Sequence, residues 1–216
     1  TTVIETKGEE TQDTLTSKTT ELKLFLEKPT TRTFLVDSDP TNYAWKYTCK
    51  LTLPGTSKRL EIEYTDVPGE WFRSGTQDQE INNYIAANDV FVVMVDTSYL
   101  MDNSEAMCDA VNCISDIHNS LTNINDQNGT KAKMVVFVPI KCEKWVMEGR
   151  IKEVVDKLKS AYRVPIQALS AYNKMSICIL PIETAGNILF REFKDAYLLN
   201  GDKPEDRCCQ LSDTKV

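Results

Sequence analysis

A chain of 216 residues that is 41% hydrophobic and 26% charged holds enough apolar material for one globular domain with a core, with or without tails. Its formal net charge of −7, with no cluster of Lys or Arg, argues against a nucleic-acid binder and against binding to an anionic membrane surface. No apolar run approaches the ~20 residues of a membrane span and no signal-peptide pattern opens the sequence, so the chain reads as cytoplasmic. Cys49, Cys108, Cys113, Cys142, Cys178, Cys208 and Cys209 form an odd set without C-x-x-C spacing, and His118 is the single histidine. Free thiols in a reducing compartment fit that pattern better than a zinc site or a disulfide framework.

Residues 1–20 are polar and Thr-rich, with Val3-Ile4 able to seed only a short strand. Residues 21–28 (ELKLFLEK) read as a helix stopped before Pro29. A loop follows, ending in Asp39-Pro40-Thr41. From 43 to 53, Tyr43, Trp45, Tyr47, Cys49, Leu51 and Leu53 fall on one face of a strand. Pro54-Gly55-Thr56-Ser57 turns the chain back into a second strand. There Leu60, Ile62 and Tyr64 alternate with Glu61, Glu63 and Thr65. The two make an antiparallel hairpin whose apolar face calls for a helical cover. The second strand runs into Asp66-Val67-Pro68-Gly69-Glu70.

After Trp71 a polar loop leads to a helix with Ile81, Tyr84 and Ile85 on one side. Residues 89–96 (DVFVVMVD) are a near-continuous apolar run, as in a parallel strand buried on both faces. One long helix is expected from about Ser104, with Met107, Val111, Ile114, Ile117, Leu121 and Ile124 at helical spacing. His118 on it reads as a packed or rim residue. A second buried strand covers 134–140, and a helix follows with Ile151, Val154, Val155, Leu158 and Tyr162 on one side. A third strand covers 176–182. A helix to about Leu199 and a solvated tail from Gly201 complete the chain. The organisation read from this order is a polar segment 1–20, an α/β domain 21–200 and a tail 201–216. The fold expected is a three-layer α/β architecture: a mostly parallel sheet with one antiparallel hairpin strand and right-handed crossovers.

Chemistry concentrates where these strands end. Open α/β sheets bind ligands beyond the carboxyl ends of their strands. A carboxylate at Asp66 is placed to hold Mg²⁺ through water, and Gly69 lets a backbone N–H approach a phosphate. Pro68-Gly69 by itself equally signals an ordinary turn. Lys141-Cys142-Glu143 and Thr184-Ala185-Gly186 follow the last two strands and are expected on the same edge.

On these segments the chain resembles a P-loop GTPase of the Ras-like, translation-factor-related class. DVPGE looks like the D-x-x-G switch motif, IKCEK like the N-K-x-D base-recognition motif, and ETAG like the short S-A-[KL] loop after it. Asp39-Pro40-Thr41 resembles the other switch segment. The D-x-P-G-E-W form, with WKYTCKL upstream, is most similar to bacterial double-GTPase families associated with conflict and defence systems. The resemblance spans roughly residues 15–195 and rests on the order and spacing of the motifs. It implies GTP or GDP with Mg²⁺ as ligands. Asp66 is then a metal residue acting through water, Thr41 a second metal residue, and the Gly69 N–H a contact to the γ-phosphate. Glu70 takes the catalytic place where a Gln commonly positions the attacking water. Lys141 lays its stem on the purine, Glu143 accepts from the base's N–H groups, and Thr184 and Ala185 form the loop whose backbone meets the base's oxygen. Trp71 and Phe72, read as exposed beside the switch, are the expected surface for a protein partner.

The sequence departs from that pattern in two places. Ile140 stands where Asn is expected and Glu143 where Asp is expected, which displaces the grip on guanine by a methylene. No G-x-x-x-x-G-K-[ST] occurs, although that loop's backbone N–H groups and lysine carry most phosphate binding. The nearest string, Thr16-Ser17-Lys18-Thr19-Thr20, has no glycine and follows no apolar strand, and a polar helix start describes it as well. The first central strand is missing with the loop, leaving a gap beside the DVPGE strand. Either a strand–loop–helix precedes Thr1, or residues 1–10 or a partner supply the strand. Two main readings follow: a GTPase-like switch that hydrolyses GTP with Mg²⁺, or a pseudo-GTPase interaction module without turnover. An unrelated α/β binding domain is the third.

Overall fold

The structure, a computed structural model, describes residues 3–7, 12–13, 16–17, 20, 33–34, 44–52, 55–57, 59–74, 78–101, 104–127, 133–171, 175–184, 188–195 and 207–213. The helix expected over 21–28, the segment Asp39-Pro40-Thr41, Lys18 and Ala185 lie outside these residues. The chain divides into two compact units, Thr1–Pro68 and Gly69–Val216, a boundary inside the stretch read as one domain.

In Thr1–Pro68, β1 (Val3–Lys7) precedes a two-residue strand, β2 (Thr33–Phe34), and then the expected hairpin of β3 (Trp45–Thr52) and β4 (Arg59–Asp66). The register sets Tyr47 opposite Tyr64, Cys49 opposite Ile62 and Leu51 opposite Leu60, so the apolar sets of both strands share a face. The Tyr47 and Tyr64 rings stack with centroids 6.1 Å apart. Residues 1–10 do supply a strand, but β1 pairs antiparallel with β3, in the order β1-β3-β4, and not beside β4 where the gap was expected. The helical cover expected over the hairpin is incomplete, with Leu60 55% exposed and Tyr64 40%. Residues 12–13, 16–17 and 20 are helical. The Thr16 hydroxyl donates to the Gln12 carbonyl at 2.7 Å and the Thr20 hydroxyl to the Thr16 carbonyl at 2.8 Å, the back-bonding of a helix rather than of a phosphate loop.

Gly69–Val216 opens with α1 (Gly69–Ser74) where a loop was expected, followed by α2 (Asp78–Ala87). Next come β5 (Val90–Asp96) and a short α3 (Thr97–Met101). The single long helix expected here is two: α4 (Glu105–Asn112) and α5 (Ile114–Gln127). Ser104 caps α4, its hydroxyl accepting from the Met107 N–H, and Cys113 at φ 47° breaks the helix. The Asp109 carboxylate then accepts from the Ser115 N–H at 3.0 Å, starting α5. β6 (Lys133–Ile140) leads to α6 (Glu143–Met147), α7 (Ile151–Ala161), α8 (Arg163–Ser170) and β7 (Met175–Ile179). Two strands follow in place of the expected helix and tail. β8 (Ile188–Asp195) and β9 (Arg207–Asp213) pair antiparallel, with an irregularity between Phe190 and Glu192.

β5, β6 and β7 form a parallel sheet in sequential order. Sequential parallel order with crossovers of one hand puts both sets of crossover helices on the same face. The core lies there: Val93 and Val95 of β5 and Val135 and Phe137 of β6 pack with Ile81, Ile85, Leu121, Val154, Leu158, Tyr162 and Leu169. The expectation that β5 is buried on both faces fails. Val92 and Met94 point the other way and are 47% and 52% exposed. Lys133 is buried at the start of β6. Its Nζ donates to the Ile85 carbonyl at 2.6 Å and the Asn88 carbonyl at 2.8 Å, taking up acceptors that α2 leaves unpaired at its end. Among the described residues no helix is long and apolar enough to cross a membrane.

Candidate functional site

The parallel strands of Gly69–Val216 all end on one edge, and the ladder runs on past their last residues. The Leu180 N–H donates to the Phe137 carbonyl and the Ile182 N–H to the Pro139 carbonyl, both at 2.9 Å, and the Cys142 N–H donates back to the Ile182 carbonyl at 3.2 Å. These bonds bring the segment after β6 and the segment after β7 side by side.

Lys141 is the first residue beyond β6 and sits at φ 60°. A non-glycine residue pays about 1–2 kcal/mol there, and such strain persists only where the surroundings enforce it. Its Nζ lies 2.6 Å from the Asp96 Oδ2 at the end of β5, with the two side chains 27% and 12% exposed. Asp96 is held on all sides. Its Oδ1 accepts from the Ser98 N–H at 2.9 Å and the Tyr99 N–H at 3.4 Å, starting α3 as a capping carboxylate does. Its main chain meets the buried Asn112 side chain. Asp96 was missed in the sequence, although a carboxylate closing the run VFVVMVD was a usable signal.

Glu143 begins α6 and is 2% exposed. Its Oε1 accepts from the Thr184 N–H at 2.5 Å. Between Lys141 and Glu143, Cys142 is buried, its sulfur 3.3 Å from the Thr97 hydroxyl, and burial pushes its thiol pKa up. Lys141, Glu143 and Thr184 gather on one edge, with Asp96 added; Asp66, expected on the same edge of one mostly parallel sheet, ends β4 in a separate antiparallel sheet. The edge gathers one cation and two carboxylates, Lys141 with Asp96 and Glu143 with the Thr184 amide, groups of the kind that orient a polar ligand.

The other expected residues stand differently. Asp66 is the last residue of β4, in the first unit; it is exposed, and partial desolvation raises its carboxyl above the ordinary value. Gly69 and Glu70 begin α1 and do not form a loop. A Cβ at Gly69 would meet no atom within 4 Å, so nothing in the fold itself demands glycine there. Trp71 and Phe72 are half-buried against the core, with the Trp71 ring 6.4 Å from that of Tyr84, so they are not the exposed surface expected. Among the described residues no group of three or more His, Cys, Asp and Glu is placed to hold a metal ion. The single carboxylate of Asp66 suits a Mg²⁺ that arrives with phosphate oxygens, not a resident metal in a protein cage.

No family model, curated protein or solved structure matches the chain.

Proposed function

We propose that the chain is a guanine-nucleotide-binding, GTPase-like switch module of Ras-like architecture, working in the cytoplasm. Lys141, Glu143 and Thr184 form its base-contacting edge. The observation that carries this reading is the bond from the Thr184 N–H to the buried Glu143 carboxylate. It joins the two segments whose sequences resemble base-recognition motifs, just beyond the carboxyl ends of parallel strands. On this reading Asp66 and Thr41 hold Mg²⁺, the Gly69 N–H meets the γ-phosphate and Glu70 orients the attacking water. The metal, when bound, neutralises charge developing on the phosphate oxygens.

A second reading, a pseudo-GTPase interaction module, is favoured by the partners these side chains already have. The Lys141 amine is engaged by Asp96 and the Glu143 carboxylate by Thr184, so both side chains meant for the base already have protein partners. Titration of a fluorescent GTP analogue with and without Mg²⁺, repeated for Asp66→Ala, separates the two. Magnesium-dependent binding that Asp66→Ala abolishes eliminates the interaction-module reading. Absence of binding by the intact chain eliminates the switch.

A further inference from the structure

Asn112 closes α4 and is 4% exposed. Its Oδ1 accepts from the Asp96 N–H at 2.7 Å, and its Nδ2 donates to the Asp96 carbonyl at 3.4 Å. One side-chain amide thus engages both main-chain groups of the residue that ends β5. Asparagine suits the task because it carries a donor and an acceptor side by side. The main-chain carbonyl of Asn112 is tied in turn: it accepts from the Tyr162 hydroxyl at 2.9 Å, and Tyr162 is fully buried where α7 meets α8. The Asp96 carboxylate has little freedom of its own, with Oδ1 committed to the start of α3 and Oδ2 to Lys141. Displacing the Asp96 main chain therefore displaces the anion that holds the lysine.

From this chain of contacts we infer that Asn112, anchored by Tyr162, is a positioning residue that sets the Asp96 carboxylate against the Lys141 amine. It thereby fixes where the ligand-binding edge presents its cation. The inference rests on the reading of that edge as the ligand site. Its reach is from the α7–α8 junction through α4 to the ends of β5 and β6, so packing changes at the helices are transmitted to the edge.

The test is trace acetylation of the full chain with acetic anhydride, read by mass spectrometry as Lys141 labelling relative to the exposed Lys152 and Lys159. In the wild type the Lys141 amine labels slowly. Asp96→Asn removes its anion and raises the ratio. Asn112→Ala is expected to raise the ratio about fivefold, the scale of one lost hydrogen bond, with Lys152 and Lys159 unchanged. Tyr162→Phe removes only the anchoring hydroxyl and is expected to raise the ratio less; it carries the test if Asn112→Ala does not fold. A ratio that rises in Asp96→Asn but stays at the wild-type value in the Asn112 and Tyr162 variants overturns the positioning role and leaves the site reading intact. So does an equal rise at all three lysines. No change in Asp96→Asn removes the ion pair and the positioning role with it, while the site reading, carried by the Glu143–Thr184 bond, stands.

Discussion

The Lys141 amine reaches the Asp96 carboxylate at 2.6 Å only because the lysine main chain adopts φ 60°. The register explains the demand: Asp96 lies opposite Ile140, so the lysine is one residue past its partner and must turn back across the strand end. Lys141→Gly and Lys141→Ala both delete the ion pair, but only alanine keeps a Cβ in the left-handed region. The glycine variant is expected to be the more stable by about 1 kcal/mol in urea denaturation. The reverse order would show that this turn is not left-handed.

Lys133 closes the end of α2 from within the sheet, its amine on the Ile85 and Asn88 carbonyls and 5.5 Å from the centre of the Phe91 ring. Lys133→Met keeps most of the stem and removes the donors. Two carbonyls then lose a partner, and a loss of about 2–3 kcal/mol is expected. Amide exchange at the last turn of α2 should accelerate more than in α7, a contrast hydrogen-exchange mass spectrometry reads directly.

Stability at alkaline pH follows from three buried acids. Burial, first among the causes, raises Cys108 and Cys142 above the ordinary thiol value of 9.0 and Tyr162 above the ordinary tyrosine value of 10.0. Each keeps its proton to higher pH in the native chain than in the unfolded one. Above about pH 9 the native state therefore binds more protons, and the unfolding free energy falls as pH rises; below that pH these groups contribute no slope. Tyr162→Phe is expected to flatten the decline above about pH 10. A urea midpoint that does not move between about pH 8 and 11 would contradict this account.

Thiol reactivity should follow the same burial. Cys178 on β7 is exposed, whereas Cys108 and Cys142 are buried with raised pKa values. Thiolate, not thiol, is the nucleophile. Iodoacetamide at mildly alkaline pH is expected to modify Cys178 well before Cys108 or Cys142, as peptide mapping would show. Equal rates at Cys142 and Cys178 would mean that the end of β6 is not packed.

The two faces of the parallel sheet should differ sharply in energy. Phe137 is fully buried, its ring 5.1 Å from that of Tyr162, and Phe137→Ala is expected to cost about 3–5 kcal/mol. Val92, on the opposite face, is 47% exposed, and Val92→Ala is expected to cost less than about 1 kcal/mol. Comparable losses would show that both faces are covered.

Those two residues also show where sequence reading stops. VFVVMVD has no alternation, so it announces a strand without saying which side chains meet helices; the sequential order of β5, β6 and β7 decides that. ILFREFKD suits a helix or a strand, and its pairing with Arg207–Asp213 makes it β8. The run from Ser104 to Gln127 keeps helical spacing across Cys113, yet the Asn112 side chain is spent on Asp96, and the helix breaks there.

Local patterning in the sequence determined the hairpin by its alternation, the three parallel strands by their continuous apolar runs and the amphipathic face of α7 by its period of 3.6, because all three are properties of neighbouring residues. The strand-end positions of Lys141, Glu143 and Thr184 came with it. The partners of those residues were decided by the tertiary structure alone. Asp96 with Lys141, Asn112 with Asp96 and Tyr162 with Asn112 are contacts between residues 45, 16 and 50 positions apart. Such contacts form only when separate elements pack, and no local pattern encodes them.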